Sequence, residues 1–447
     1  MPCLRNPVAM NSWRRWLAPY GKPRVLLILP LGFASGLPLL LTFSTLSAWL
    51  ATVGVSRSVI GAFALVGTPY AFKFAWSPLL DRLPPPLPLG RRRGWGVTIQ
   101  LALIAAVLAL GRTDPHRDLA TMAILAVTVA FLSASQDVVI DAWRVEILTA
   151  EEQGPGAGMI QAGYRIAMLV SGAGALLIAD RAGWFAAYAT MAGFLTVGLC
   201  VFLFGPEPPA PVIALSQESA GGLSAVQEWL ASAVVAPFAD FMQRPRWVAI
   251  LLFVIVFKLG EALAGVMATP LYIAMGFSLA EIAAVSKLVG FAATIVGLFA
   301  GGVVCARLGL MRGLLICGLL QSAGNLFYVV QALEGHRLDY LALCVAIENI
   351  TSAMAAVALV AYLSGLCSPA FTATQYALLS SLAVVGRTLV ASSGGMLADE
   401  LGWVRFFLLS TVVTIPSLIL LVWIARAAVQ QDSSGPRPPH VRQLTSP

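Results

Sequence analysis

The chain has 447 residues, 59% of them hydrophobic and only 11% charged, with a formal net charge of +7. Soluble domains carry about 25% charged residues, so a string of soluble domains is excluded in favour of a polytopic helical membrane protein. The positive charge does not mark a nucleic-acid surface, because the lysines and arginines are dispersed through short loops between apolar runs.

A helix needs about 20 apolar residues to cross the hydrocarbon core. The first such run, 25–50, exceeds the roughly 7–15 residues of a signal-peptide core and is expected to stay as helix 1. Helices 2 to 6 follow over 58–79, 95–111, 119–143, 155–179 and 185–205. Helices 7 to 12 follow over 247–272, 279–305, 313–333, 340–364, 372–398 and 403–425. Lipid offers the backbone no hydrogen bonds, so each segment is expected to be helical. The fold class is therefore all-α, with a bundle in 1–205 and another in 247–425. Between them, 206–246 opens on "PEPPAP", which cannot continue a helix. It runs on through "LSAVQEWLASAVVAPFADFMQRPRW", whose apolar spacing predicts an amphipathic helix along the membrane surface. The polar tail 426–447 is expected to be disordered. Arg57, Arg112, Arg117, Arg181, Arg337 and Arg405 fall in loops opposite the N-terminus, whereas the other loop lysines and arginines share its side. The positive-inside rule then places both termini in the cytoplasm.

The two bundles resemble each other. "FASG" (Phe33–Gly36) and "FKLG" (Phe257–Gly260) are 224 residues apart, "VGVSRSVIG" (Val53–Gly61) and "MGFSLAEIA" (Met275–Ala283) 222, and "ADRAGW" (Ala179–Trp184) and "ADELGW" (Ala398–Trp403) 219. Such duplicated bundles are how secondary transporters build a substrate site between two halves, although channels and membrane enzymes also use them.

Eight charged residues lie inside helices: Lys73, Asp137, Arg165, Lys258, Glu261, Lys287, Glu348 and Arg387. Each costs about 2.5–3.5 kcal/mol at a helix centre, on the order of 20–28 kcal/mol if all were unpaired. They are therefore expected to face the bundle interior or a wet cavity. Lys258 and Glu261 share a face at i, i+3, and Asp137 and Asp141 at i, i+4. Glu348–Asn349 in helix 10 mirrors Gln136–Asp137 in helix 4, and Arg165 in helix 5 mirrors Arg387 in helix 11; structural salt bridges would duplicate in the same way. Five basic residues against three acidic ones favour an anionic solute.

No GxxxxGK[ST] phosphate loop is present, so ATP hydrolysis is not expected. HExxH, GxSxG and Cys/His clusters are absent too, which leaves no enzyme reading, no metal and no cofactor. Cys3, Cys200, Cys305, Cys317, Cys344 and Cys367 are scattered and read as small apolar fillers. His116, His336 and His440 lie outside the helices, so proton carriage falls to Asp137, Glu261 or Glu348, each of which is equally readable as the fixed partner of a cation.

The loop "SPLLDRLPPPLPLGRRRGW" resembles the cytoplasmic loop motif of the major facilitator superfamily. Its second-half counterpart, "GGVVCARLGLMRG", lacks the acid. The resemblance implies a charge cluster of Asp81, Arg82 and Arg91 that is broken and remade as the halves rock. Over nearly all of 25–425, in order, "LGFASGLPLLLTFSTLSAWL", "SASQDVVIDAW", "GYRIAMLVSG", "FKLGEALA", "IENITSAM" and "ATQYALLSSLAVVGR" are similar to the AmpG muropeptide permease family.

That resemblance implies a proton-driven importer in the inner membrane of a Gram-negative bacterium. The solutes would be N-acetylglucosaminyl-1,6-anhydro-N-acetylmuramyl peptides, which feed peptidoglycan recycling and, in some hosts, β-lactamase induction. Its partners would be muropeptide, protons and the bilayer, with no nucleic acid and a single copy of the chain. Helices 1, 4, 7 and 10 would line the cavity, with Gln136, Asp137, Lys258, Glu261, Glu348 and Asn349 facing it. Lys287, Arg165, Arg387, Tyr164, Gln321 and Asn325 are further substrate-binding candidates. Gly32 and Gly36 would let helix 1 approach its neighbours closely. Asp137 is expected to carry the proton and Gln136 to bond sugar or peptide groups. Two departures are visible: some family members carry two more helices after helix 12, and can have Asp where this chain has Glu261. A carrier of another anionic solute, such as an acyl-CoA or sugar phosphate, and a non-transporting sensor of wall fragments are the competing readings.

Overall fold

A computed structural model describes residues 18–209, 235–391 and 393–434. Among these residues ten helices are long and apolar enough to cross a membrane: Pro23–Thr52, Arg91–Gly111, Leu119–Ile147, Gln153–Ala182, Trp184–Phe204, Trp247–Ala274, Ala280–Leu308, Leu310–Glu334, Leu338–Gly365 and Gly394–Arg426. These correspond to helices 1, 3 to 10 and 12. Helix 2 is a string of short α and 3₁₀ turns over 57–82, with Pro69 and Pro78 each opening a turn where a missing N–H does no harm. Helix 11 is Thr372–Ala391 and resumes beyond residue 392. The described residues thus form twelve helical segments.

Most of the expected surface helix falls on 210–234, outside the described residues. Its last turns form the helix Ala236–Met242, which docks against helix 11: Phe241 is buried, and Gln375 donates to Pro237 O at 3.0 Å and to Asp240 at 2.7 Å. At the C-terminus the helix runs to Ser434, past the expected boundary at Arg426, and 435–447 lie outside the described residues.

Among the described residues seven glycines have left-handed φ, and six pair between halves: Gly54 with Gly276, Gly90 with Gly309, and Gly183 with Gly402. The spacings are 222, 219 and 219 residues, and Gly90 and Gly309 lie in the two counterpart loops, "LGRRRG" and "LGLMRG". Gly90, Gly183, Gly309 and Gly402 all combine φ of 70–96° with ψ of 160–166°. Only glycine occupies that region readily, so each half enters its third and sixth helices through the same turn.

Close packing within the first half is also a glycine matter. A Cβ on Gly32 would lie 2.1 Å from Ile160 O, and one on Gly36 2.6 Å from Tyr164 O, so both residues sit in the seam between helices 1 and 5. Helix 1 could not approach helix 5 this closely with any larger residue.

One end of the molecule carries Arg91–Arg93, Arg144, Arg244, Arg246, Arg307 and Arg312 and is called the basic end here. At the opposite end the apolar clusters of the two halves share no member: one runs through Trp49, Met122 and Tyr188, the other through Tyr272, Tyr328 and Phe407. Towards the basic end the clusters mix, with Phe299, Val303, Ala373 and Ala377 packed among residues of the first half. The halves are therefore joined at the basic end.

The turn glycines make a clean test. No atom lies within 4 Å of a Cβ placed on Gly183 or Gly402, so the cost of Gly183→Ala or Gly402→Ala is backbone strain alone. It should be about 1–3 kcal/mol in unfolding from mixed micelles. Gly193→Ala, inside helix 6 and equally free of neighbours, should be neutral or stabilise by roughly 0.5–1 kcal/mol.

Candidate functional site

The basic end is locked by charge. Asp81 closes helix 2, and its carboxylate accepts the backbone N–H of Thr374 at 2.9 Å, its hydroxyl at 2.8 Å and the N–H of Ala373 at 3.3 Å. These groups sit in the first turn of helix 11, where N–H groups lack helical partners and the helix dipole favours an anion. The other face of Asp81 meets Arg92, fully buried at 2.7 Å, which also binds Glu146 of helix 4 at 2.5 Å. Arg91 joins at 3.0 Å to Glu146 and 3.8 Å to Asp81. Glu207, just after helix 6, takes the backbone N–H of Arg92 and of Arg93 at 2.8 and 3.0 Å and so caps helix 3. Helices 2, 3, 4 and 11 are thus tied in one network across both halves. Asp81 and Arg91 belong to it, and Arg82 lies over the ring of Phe371. Sequence reasoning missed Arg92, Glu146 and Thr374. The arginine run was visible, but which member turns inward was not.

A cavity of about 230 Å³ lies above this lock, lined by Ser35, Asp137, Asp141, Gln161, Tyr164 and Tyr376 among others. Helices 1, 4 and 5 of the first half contribute, as do helix 10 through Val360 and helix 11 through Tyr376. Ser35 donates to Asp137 at 2.6 Å, and the Lys73 ammonium acts electrostatically on both aspartates. Arg144 pairs with Asp141 at 3.5 Å, donates to Ser364 Oγ of the second half at 3.0 Å and lies over the Tyr376 ring. Asp141 carries more of the site than its place near a helix end suggested.

A second charged group spans the halves. Arg165 and Lys258 each interact electrostatically with Glu348 and with Arg387, and both arginines keep exposed surface although they lie mid-helix. Lys258 is ion-paired with Glu261, which also accepts from Gln321 Nε2. Setting Glu261 against Lys258 leaves Arg165 facing Glu348, with Arg387 as a further like charge beside Arg165 and Lys258.

Four candidates lie elsewhere. Gln136 is 1% exposed and donates to Gln100 at 2.5 Å, while Gln100 donates to Leu195 O at 2.7 Å. It ties helices 3, 4 and 6 together and does not face the cavity, because one residue along a helix turns the side chain by about 100°. Asn349 accepts from Thr294 at 2.9 Å and donates to Val345 O at 2.8 Å, and so serves the packing of helices 8 and 10. Asn325 is buried against Ser410 O inside the second half. Lys287 is exposed in the wide turn Ser286–Gly290 of helix 8, apart from both charge groups. No group of three or more metal-ligating side chains occurs among the described residues.

Two outcomes follow from this geometry. Arg92→Met strands two buried carboxylates and should cost roughly 3–5 kcal/mol of unfolding free energy; Arg91→Met, with Arg92 still in place, should cost about 1 kcal/mol. Gln136→Leu should lose about 1–3 kcal/mol by leaving the Gln100 carbonyl without its donor, and should leave the apparent KM for the transported solute unchanged.

The Major Facilitator Superfamily model matches residues 28–333. The chain is 43% identical over 410 residues to the anhydromuropeptide permease of Escherichia coli K12, an alignment that covers 91% of this chain and 81% of that one. It is 35% identical over 405 residues to the putative transporter AmpG 4 of Rickettsia felis, with 90% and 96% covered. Among solved structures, the proton:xylose symporter XylE superposes with a TM-score of 0.63 at 13% identity, covering 89% of this chain and 94% of that one. The human organic anion transporter MFSD10 superposes at 0.57 and 18%, covering 92% and 100%. At those identities the structures speak to the fold alone. The fold, the repeat and the sequence identity together make this chain a member of the AmpG permease family within the major facilitator superfamily.

Proposed function

We propose that the chain imports anhydro-muropeptides, N-acetylglucosaminyl-1,6-anhydro-N-acetylmuramyl peptides, from periplasm to cytoplasm in symport with protons. The 43% identity to an anhydromuropeptide permease supports the solute. The single observation that carries the mechanism is the Asp137–Asp141 pair lining a cavity between two halves whose apolar clusters, among the described residues, share no member at the far end. The cavity of about 230 Å³ is smaller than the roughly 300–1,000 Å³ of ordinary ligand pockets. It therefore suits water and a proton, while the disaccharide-peptide occupies the space between the halves, where Arg165 and Arg387 attract its carboxylates.

In this reading the basic end is cytoplasmic by the positive-inside rule, the described state faces the periplasm, and one copy of the chain suffices. Solute and proton enter from the far end. Protonation of Asp137 removes a charge that the closing cavity would otherwise have to desolvate. The halves then rock, the Asp81 lock on helix 11 opens, and both ligands leave to the cytoplasm. Recycling of wall fragments, and induction of β-lactamase where a host has that circuit, would lie downstream.

Purified protein in proteoliposomes with an imposed inward proton gradient tests this. Radiolabelled disaccharide-tripeptide should accumulate, an uncoupler should abolish accumulation, and Asp137→Asn should abolish it while solute exchange without a gradient survives. Asp137→Asn that still concentrates solute removes Asp137 from the coupling step. Failure of unlabelled muropeptide to compete, with competition by an acyl-CoA or sugar phosphate, assigns a different anionic solute. Stoichiometric binding without accumulation makes the chain a sensor.

A further inference from the structure

The lock at helix 11 closes one seam between the halves. The other basic-end seam, between helices 5 and 8, is closed by a residue that belongs to neither. Tyr20 sits in the 3₁₀ turn Ala18–Gly21, ahead of helix 1, and is 5% exposed. Its hydroxyl donates to Phe299 O of helix 8 at 2.8 Å, and its ring meets the Phe299 ring edge-on with centroids 5.0 Å apart. The pocket that receives it is made by absent side chains. A Cβ on Gly302 of helix 8 would lie 2.0 Å from the Tyr20 hydroxyl, and one on Gly158 of helix 5 would lie 3.0 Å from it. Around that hole the helices touch directly: a Cβ on Gly158 would lie 2.8 Å from Leu298 O, and one on Gly154 3.0 Å from Gly302 O.

The segment that carries Tyr20 is anchored to the first half. Lys22 pairs with Glu152, at the start of helix 5, at 2.9 Å, and Arg24 donates to Ile147 O, at the end of helix 4, at 3.4 Å. The anchor is thus on one half and the docked hydroxyl on the other. If the halves separate at this end, as transport on the reading above requires, the Tyr20–Phe299 bond must break and the ring must leave the Gly158–Gly302 hole.

We propose that Tyr20 is a gate residue: a plug carried on the segment before helix 1 that holds helices 5 and 8 together in the state closed at the basic end. It is a positioning residue that biases the balance between states without touching the solute. A hydrogen bond of ordinary net strength shifts a two-state balance by about 2- to 13-fold. The packed ring adds to that.

The inference is tested on the full chain in nanodiscs, with spin labels on exposed basic-end positions of helices 5 and 8 read by pulsed-dipolar distance measurement. Tyr20→Phe keeps the ring and loses the bond, and should raise the population with the long basic-end distance several-fold. Tyr20→Ala should raise it further. Gly302→Ala, which puts a methyl where the hydroxyl sits, should mimic Tyr20→Ala, and the double variant should add little, because both remove one contact. Thermal stability in the same discs checks that Tyr20→Phe is folded. The distances need no solute, so a shift in chains that fail to move muropeptide sinks the proposed substrate and leaves the gate standing. Wild-type distance distributions in folded Tyr20→Phe and Tyr20→Ala, or full additivity in the double variant, overturn the plug.

Discussion

Ionised groups survive in a low-dielectric slab only when each has a partner, a helix end or water within reach, and that constraint organises this molecule. Asp81 uses two of the three. Arg92 neutralises it from one side, and the first turn of helix 11 supplies N–H groups from the other. Both partners are buried, so a carboxylate there without them would be untenable. The two halves are thus held at one end by an interaction that has no satisfactory substitute inside a half.

The same constraint sorts the remaining charges into two kinds. Lys258 and Glu261 are resolved within one helix, three residues apart, with Gln321 completing the carboxylate's shell. The pair sits at the break at Phe257–Lys258 in helix 7, although Lys258 also feels Arg165 of the other half. Glu348 faces Arg165 across the gap, and the cavity of Asp137 and Asp141, whose counter-charges Lys73 and Arg144 lie in the first half, is completed by Val360 and Tyr376 of the second. A group whose partner is on the opposite half changes its environment whenever the halves move, and that dependence is what lets a charge report on, or drive, a conformational change.

Glycine has two separate jobs here, both inherited through duplication or packing. In the turns it supplies a backbone conformation, and the matched φ and ψ at Gly183 and Gly402 show that the two bundles enter their sixth helices alike. In the seams it supplies absence. Gly32 and Gly36 let helix 1 rest on helix 5, and Gly158 and Gly302 leave the hole that Tyr20 fills. The first job requires only local geometry; the second exists only because another helix arrives.

The sequence by itself determined what is local or additive. The apolar runs, the Lys/Arg asymmetry, the repeated motifs and the cost of eight intramembrane charges are sums over neighbours in the chain, so the all-α two-bundle architecture and the inward placing of Asp137 could be read from them. The Lys258–Glu261 pair was legible for the same reason, being i, i+3, whereas the break in helix 7 beside it was not. Contacts between helices were not legible. Gln136 is adjacent to Asp137 in the chain, yet a turn of about 100° sends it to Gln100 and out of the cavity. Three consecutive arginines look alike in sequence, and only the docking of helices 2, 4 and 11 made Arg92 the buried one. Tyr376 in the cavity wall and Tyr20 in the helix 5–8 seam had no sequence signal at all. Their roles come from surfaces more than a hundred residues away, and pairings at that distance are decided by how whole helices pack, which no local pattern encodes.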